Sequence, residues 1–355
     1  MAYIKNAHLL RARSVIAFLA VGALAACGGG VQNSAVPPIS TVSNTSPSDS
    51  LPGSSTGSPL VADATTTTHY FDDTGCKDFP SNDYWNRSVA SAKVSGSSPA
   101  EINYAYSQYR SAPVFAPPYK YQVVPVGSAL YSVDPRSSHR IPANYEMTLK
   151  GWPIPSDMSS LLGTADKVSV LLQETSPPSD CRGWDGYDFA GRNTSYSAFS
   201  GDHVEMDRNM PTETCNGVAQ LCGEDLEGDL TYYELNSGKP ILHAIHAEFP
   251  CSIAGTCGYA NRYSFNQRFG CADSCARLRL NTAKVRRPSN PQAAALYDAM
   301  AHYGLDTSEN GGYWTLYTLQ RDGDSAYPMS IPPAVSGFIS TLRLTDFEVL
   351  QNGSW

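Results

Sequence analysis

The composition predicts a mainly β fold: one β-sandwich or jelly-roll-like domain with long disulfide-pinned loops and one or two short helices. Charged residues make up only 16% of the chain, against a usual share of about 25%. The chain also holds 21 Tyr, 28 Gly and 25 Pro, which suit strands and ordered turns better than solvated helices. Its 9 cysteines fit loops cross-linked in an oxidising compartment.

The N-terminus reads as an export signal. Lys5, Arg11 and Arg13 form a basic region, and Ser14 to Ala23 an apolar stretch too short to span a bilayer. Leu24-Ala25-Ala26-Cys27 then forms a small-residue cleavage site. This segment resembles the lipobox of bacterial lipoproteins. The resemblance implies that Cys27 is diacylated and becomes the mature N-terminus, and that Gly28 after it directs the protein to the outer membrane. An ordinary secretory signal with an incidental cysteine is the alternative.

The expected organisation is therefore a signal peptide over 1–26, a tether over 27–68 and a β-rich globular domain over 69–355. The tether is almost wholly Gly, Ser, Thr, Pro, Val and Asn. Such a segment buries too little apolar surface to offset its ordering entropy. As a flexible coil of about 40 residues it reaches roughly 35 Å, enough to hold a domain clear of a membrane.

Apart from Cys27, the cysteines are Cys76, Cys181, Cys215, Cys222, Cys251, Cys257, Cys271 and Cys275. An even set in an exported chain reads as disulfides, although connectivity is formally open. Short loops favour Cys215 with Cys222, Cys251 with Cys257 and Cys271 with Cys275, leaving Cys76 and Cys181 as the long bridge. A zinc site built from Cys251, Cys257, Cys271 and Cys275 is the rival, but its spacing fits no zinc-ribbon pattern well.

Along the domain, Phe71 to Asn86 interleaves acids and asparagines with aromatics. It is either a polar cleft floor or a loop pinned by Trp85 in the core. Asp72 and Asp73 are a weak calcium-ligand pair. Strands are expected at Tyr119–Val126, Tyr145–Leu149, Lys167–Gln173, Arg277–Leu280, Tyr313–Gln320 and Leu342–Leu350. A short helical turn capped by Ser156 ends at Gly163. One full helix follows Ser289-Asn290, with Pro291 near its first position, Ala293, Leu296, Met300 and Tyr303 as a narrow stripe, and Gly304 past its end.

The most informative stretch is Ile241 to Phe249, which sets two histidines and a carboxylate in an apolar run. At strand periodicity His243 falls with Ile241, Ile245, Ala247 and Phe249, while His246 and Glu248 share the other face. An enclosed imidazole needs partners for both nitrogens, so His243 is either a structural hydrogen-bond hub or a proton-transfer group. Farther back, His203, Glu205 and Asp207 share one face of an extended segment, with Asp202 two residues before Val204, a pattern compatible with an acid/base or metal site or with a solvated edge strand. Trp184 and Asp185 repeat the aromatic-plus-acid texture. Glu224, Asp225, Glu227 and Asp229 read most simply as a solvated turn.

A set of short motifs recurs in order along most of the domain. These are Phe79-Pro80-x-x-Asp83-x-Trp85-Asn86, Pro153-Ile154-Pro155, Gly238-x-x-Ile241-x-His243-Ala244-Ile245, Arg277-Leu278-Arg279-Leu280, Tyr303-Gly304 with Asn310-Gly311, and Asp346-Phe347-Glu348-Val349. Together they resemble a family of exported bacterial and archaeal proteins to which no activity is assigned. The resemblance implies an all-β secreted domain. Members carry an Asp-x-His strand near the middle, and Asp166-Lys167 stands at that place here.

The net charge of −8 argues against a nucleic-acid footprint, which needs a basic face. The chain has no Gly-x-Ser-x-Gly elbow, phosphate loop, dinucleotide fingerprint or His-Glu-x-x-His motif, which disfavours the corresponding chemistries. The first expectation is a lipid-anchored envelope protein that engages polysaccharide, as a glycoside hydrolase or polysaccharide lyase if it turns substrate over. Its catalytic candidates are His243, Asp83, Glu248 and Asp202, with Trp85, Asn86, Trp184 and Asn310 lining the substrate cleft. The membrane, through Cys27, and a polysaccharide are the expected partners, and no cofactor is expected. The alternative is a non-catalytic binding or structural envelope lipoprotein. A third reading is a hydrolase with a metal held by His203, His243 or His246.

Overall fold

The computed structural model describes residues 74, 76, 79–135, 150–155, 169–176, 180–187, 189–192, 195–198, 200–206, 226, 228–249, 277–310, 314–322, 328–351 and 354–355. The mainly β expectation holds: sixteen strands lie in three sheets among the described residues. The signal, the tether, Asp72, Asp73, the strand expected at 145–149 and the turn at 156–163 lie outside the described residues. So do Asp207, Glu224, Asp225, Glu227 and every cysteine except Cys76 and Cys181.

The first sheet contains β1 (Val114–Phe115), β11 (Ile245–Phe249), β12 (Arg277–Leu280), β13 (Leu305–Asn310), β14 (Thr315–Leu316) and β16 (Phe347–Val349). Their spatial order is β1-β14-β11-β13-β12-β16. The second contains β2 (Tyr119–Val123), β5 (Ser169–Ser176), β6 (Asp180–Tyr187), β9 (Ser200–Glu205), β10 (Leu230–Thr231) and β15 (Thr318–Arg321), in the order β10-β15-β2-β5-β6-β9. The third is β4-β3-β8-β7, from β3 (Tyr131–Pro135), β4 (Lys150–Trp152), β7 (Ala190–Arg192) and β8 (Ser195–Ala198).

Pairing departs from the jelly-roll expectation. β1–β14, β10–β15, β15–β2, β2–β5, β11–β13 and β3–β8 are parallel, whereas hairpin-connected sandwiches are antiparallel. The helical content is also higher than expected. Four α-helices are present among the described residues: α1 (Ser98–Gln108), α2 (Tyr232–Ser237), α3 (Pro291–His302) and α4 (Pro333–Thr341). Parallel neighbours need long crossovers, and those crossovers accommodate the helices.

Each sheet face buries an alternating set. Ile245 and Ala247, Leu278 and Leu280, and Phe347 and Val349 point from the first sheet into a core shared with the helices. The α3 helix forms as expected: the Asn290 side chain accepts from the Gln292 and Ala293 N–H groups, and Pro291 opens the first turn. It buries far more than a narrow stripe, with Ala293 to Tyr297 and Ala299 to Ala301 all enclosed. Gly304 follows it at φ +83°, and a Cβ there would overlap the Leu278 carbonyl of the neighbouring strand. On the second sheet, Tyr119, Tyr121, Leu172 and Leu319 pack with Cys76 and Phe79. Leu171 and Trp184 pack on its other face against Val133, Trp152 and Tyr196 of the third sheet.

The Cys76–Cys181 disulfide expected from the spacing is formed. It ties the opening segment to β6. From there the segment runs to the first sheet, where the Trp85 carbonyl accepts from Ala244 N–H and the Tyr84 carbonyl accepts from Arg277.

Candidate functional site

Two histidine–carboxylate pairs stand where β10, α2 and β11 join the first two sheets. Thr231 caps α2: its Oγ1 accepts from the Glu234 N–H, and Glu234 Oε2 accepts from the Thr231 N–H and hydroxyl at 2.9 and 3.0 Å. The other oxygen, Oε1, is 3.1 Å from His243 Nε2. The Nδ1–H of His243 donates to the Ala244 carbonyl at 2.8 Å. Both ring nitrogens thus face oxygens. His243 is 2% exposed.

The expected strand from Ile241 starts only at Ile245, so His243 sits before the sheet and not on its apolar face. The reason is non-local: the Ala244 N–H donates to the Trp85 carbonyl instead of a ladder partner. From Ile245 onward the expected alternation is seen. Ile245 and Ala247 enter the helical core, and His246 lies on the opposite face. Its Nδ1 is 2.8 Å from Asp229 Oδ1, and its ring stacks on Tyr317 at 4.5 Å between centroids. Tyr317 in turn stacks on Tyr119 and donates its hydroxyl to Glu248 Oε2 at 3.2 Å. The Trp85 ring meets His246 edge-on. Gly228 makes this approach possible, since a Cβ there would overlap the Trp85 ring and stand 2.9 Å from the His246 Cβ. Asp229, expected in a solvated turn, is 1% exposed.

A third cluster holds the opening segment down. Tyr84 donates to Asp306 Oδ2 at 2.6 Å, and Arg277, fully enclosed, pairs with the same oxygen at 3.6 Å. The guanidinium lies 4.4 Å from the Tyr84 ring centroid and also approaches Trp85 and Trp355. Burial, and secondly the Asp306 charge, push the Tyr84 phenol above its ordinary range.

On the second sheet the antiparallel register sets Asp185 of β6 directly opposite Asp202 of β9, and Trp184 opposite His203. Asp185 is 1% exposed.

The sequence-derived candidates do not converge on one cleft. Asp83 is buried, and its Oδ1 accepts from the Trp85 N–H at 3.1 Å, which closes a local turn. Asn86 donates to the Phe79 and Pro80 carbonyls. Trp85 is fully buried, and Trp184 lies in the core shared with the third sheet. Neither ring forms a surface platform, because each fills volume between packed elements. Glu248 is half-buried beside Tyr317. Asp202 and Asn310 lie in β9 and β13, and their side chains, like that of His203, are outside the described set. The structure therefore brings together Trp85, His246 and Glu248 through Tyr317, and sets His243 apart on Glu234.

Sequence reasoning passed over Glu234, although Thr231-x-x-Glu234 is a readable capping box. It also missed the roles of Tyr317, Arg277 and Asp306, for which no local signal exists. Among the described residues no group of three or more His, Cys, Asp or Glu side chains is arranged to hold a metal, and no helix is long and apolar enough to cross a membrane. No protein-family model matches the chain, and no curated protein or solved structure matches it.

Proposed function

We propose that the chain is a lipid-anchored protein of the bacterial envelope that engages carbohydrate and cleaves it with the carboxylates of Asp185 and Asp202. The supporting observation is their cross-strand register. Backbones directly opposite in an antiparallel pair bring their Cβ positions within about 4.5–5.5 Å, close enough in the chain's register to serve the near-neighbour carboxyl groups, roughly 5–5.5 Å apart, that a retaining glycosidase uses. In this reading Cys27 carries the lipid, and 27–68 tethers the domain to the outer membrane or surface. The second sheet, which packs on the third through the Trp152–Trp184 core, carries both residues on its adjacent strands β6 and β9. The motif series from Phe79 to Val349 supports kinship with the exported family it resembles.

A second reading, a non-catalytic binding or structural lipoprotein, is favoured by a different observation. His243 is enclosed and bonded through both nitrogens, and Trp85 and Trp184 are spent on packing.

One experiment separates the two. The domain from His69 onward is screened for polysaccharide binding and product release, beside Asp185→Asn and Asp202→Asn variants whose folding is checked by circular dichroism. Turnover that disappears in both folded variants supports the hydrolase. Binding without turnover, unchanged in the variants, supports the second reading, and no interaction with any glycan removes carbohydrate from both. Cys27→Ser in the full chain tests the anchor: the variant should lose acyl labelling and leave the membrane fraction.

A further inference from the structure

We draw no further inference here: the strongest candidate, the groove between the first turn of α1 and β16 lined by Ile102, Asn103, Lys284, Phe347 and Glu348, has its ammonium and carboxylate already paired with the Thr345 carbonyl and with Arg279 and Asn281, and nothing in the structure shows what would occupy it.

Discussion

Trp85 rests on Gly228, and the contact leaves no room for a methyl group between the indole and the turn that leads into β10. Two distant parts of the chain thereby meet over His246, whose Cβ would also crowd any side chain at position 228. Gly228→Ala should destabilise the domain by about 1–3 kcal/mol, the usual range for overpacking a close-packed site. Urea unfolding followed by tryptophan fluorescence measures this. A variant as stable as the parent would mean that the indole is free to shift.

Position 228 also shows what a sequence can reveal. Glycine beside a cluster of acids signals a turn, but the acids read as solvated because their partners lie elsewhere in the chain. Asp229 is buried only because His246 supplies the bond. The α3 helix was legible because its signals are local: Asn290, Pro291 and Gly304 stand at its own ends. The apolar spacing of Val335, Phe338, Ile339 and Leu342 was equally local and marks α4. The mainly β expectation from composition, with Leu342 to Leu350 read as a strand, obscured it. Sheet order was not legible, since parallel pairs such as β2–β5 and β10–β15 join segments remote in sequence. Strand periodicity correctly placed His246 and Glu248 on one face. It failed at His243 because the backbone of residue 244 bonds to residue 85.

The Tyr84–Asp306–Arg277 cluster predicts a sensitivity to alkali. The Tyr84 phenol is pushed above its ordinary range, so its neutral form is the one the folded state favours. The associated stability is complete below the unfolded value of about 10 and is lost as pH rises beyond it toward the folded value. Tyr84→Phe should flatten the alkaline branch of a stability-versus-pH curve. At neutral pH the same variant should be about 1–3 kcal/mol less stable, because Asp306 loses a donor while buried. An alkaline branch identical to the parent's would show that other groups control it.

Breaking the ion pair from the other side should cost more. Arg277 and Asp306 are 1% exposed each, and Arg277→Met leaves the carboxylate buried with its counter-charge gone. About 3–5 kcal/mol of stability should be lost, read as a fall in the denaturation midpoint. Arg277→Met combined with Asp306→Leu should recover much of it, because an apolar pair of similar volume carries no stranded charge.

The Cys76–Cys181 bridge joins positions separated by 105 residues. A loop of this length restricts the unfolded chain by up to about 4.7 kcal/mol in the chain-entropy model, with roughly 2–4 typical in practice. The paired Cys76→Ala and Cys181→Ala variant should therefore melt well below the parent. Both cysteines are enclosed, at 0% and 1% exposure. Mild thiol reductant should then leave the bridge intact in the folded parent below its melting transition, as read by thiol titration. A folded parent that releases thiols as soon as reductant is added would contradict this protection.

The His243–Glu234 pair supplies the last prediction, because a structural clasp and a proton-transfer group differ in how their energies combine. Glu234 closes the capping box of α2 with one oxygen and meets His243 with the other. A clasp requires both partners at once, so His243→Gln and Glu234→Gln should each lower stability, and the double variant should lose much less than the sum. A coupling energy of about 1.5–3 kcal/mol is expected for a hydrogen bond to a charged group. Thr231→Ala, which removes the cap and the hydroxyl's bond to Glu234 Oε2 but keeps the backbone N–H bond to that oxygen, should cost about 1 kcal/mol and leave most of that coupling. Additive single losses would show that His243 and Glu234 do not act together, and would return the imidazole to the list of groups available for chemistry.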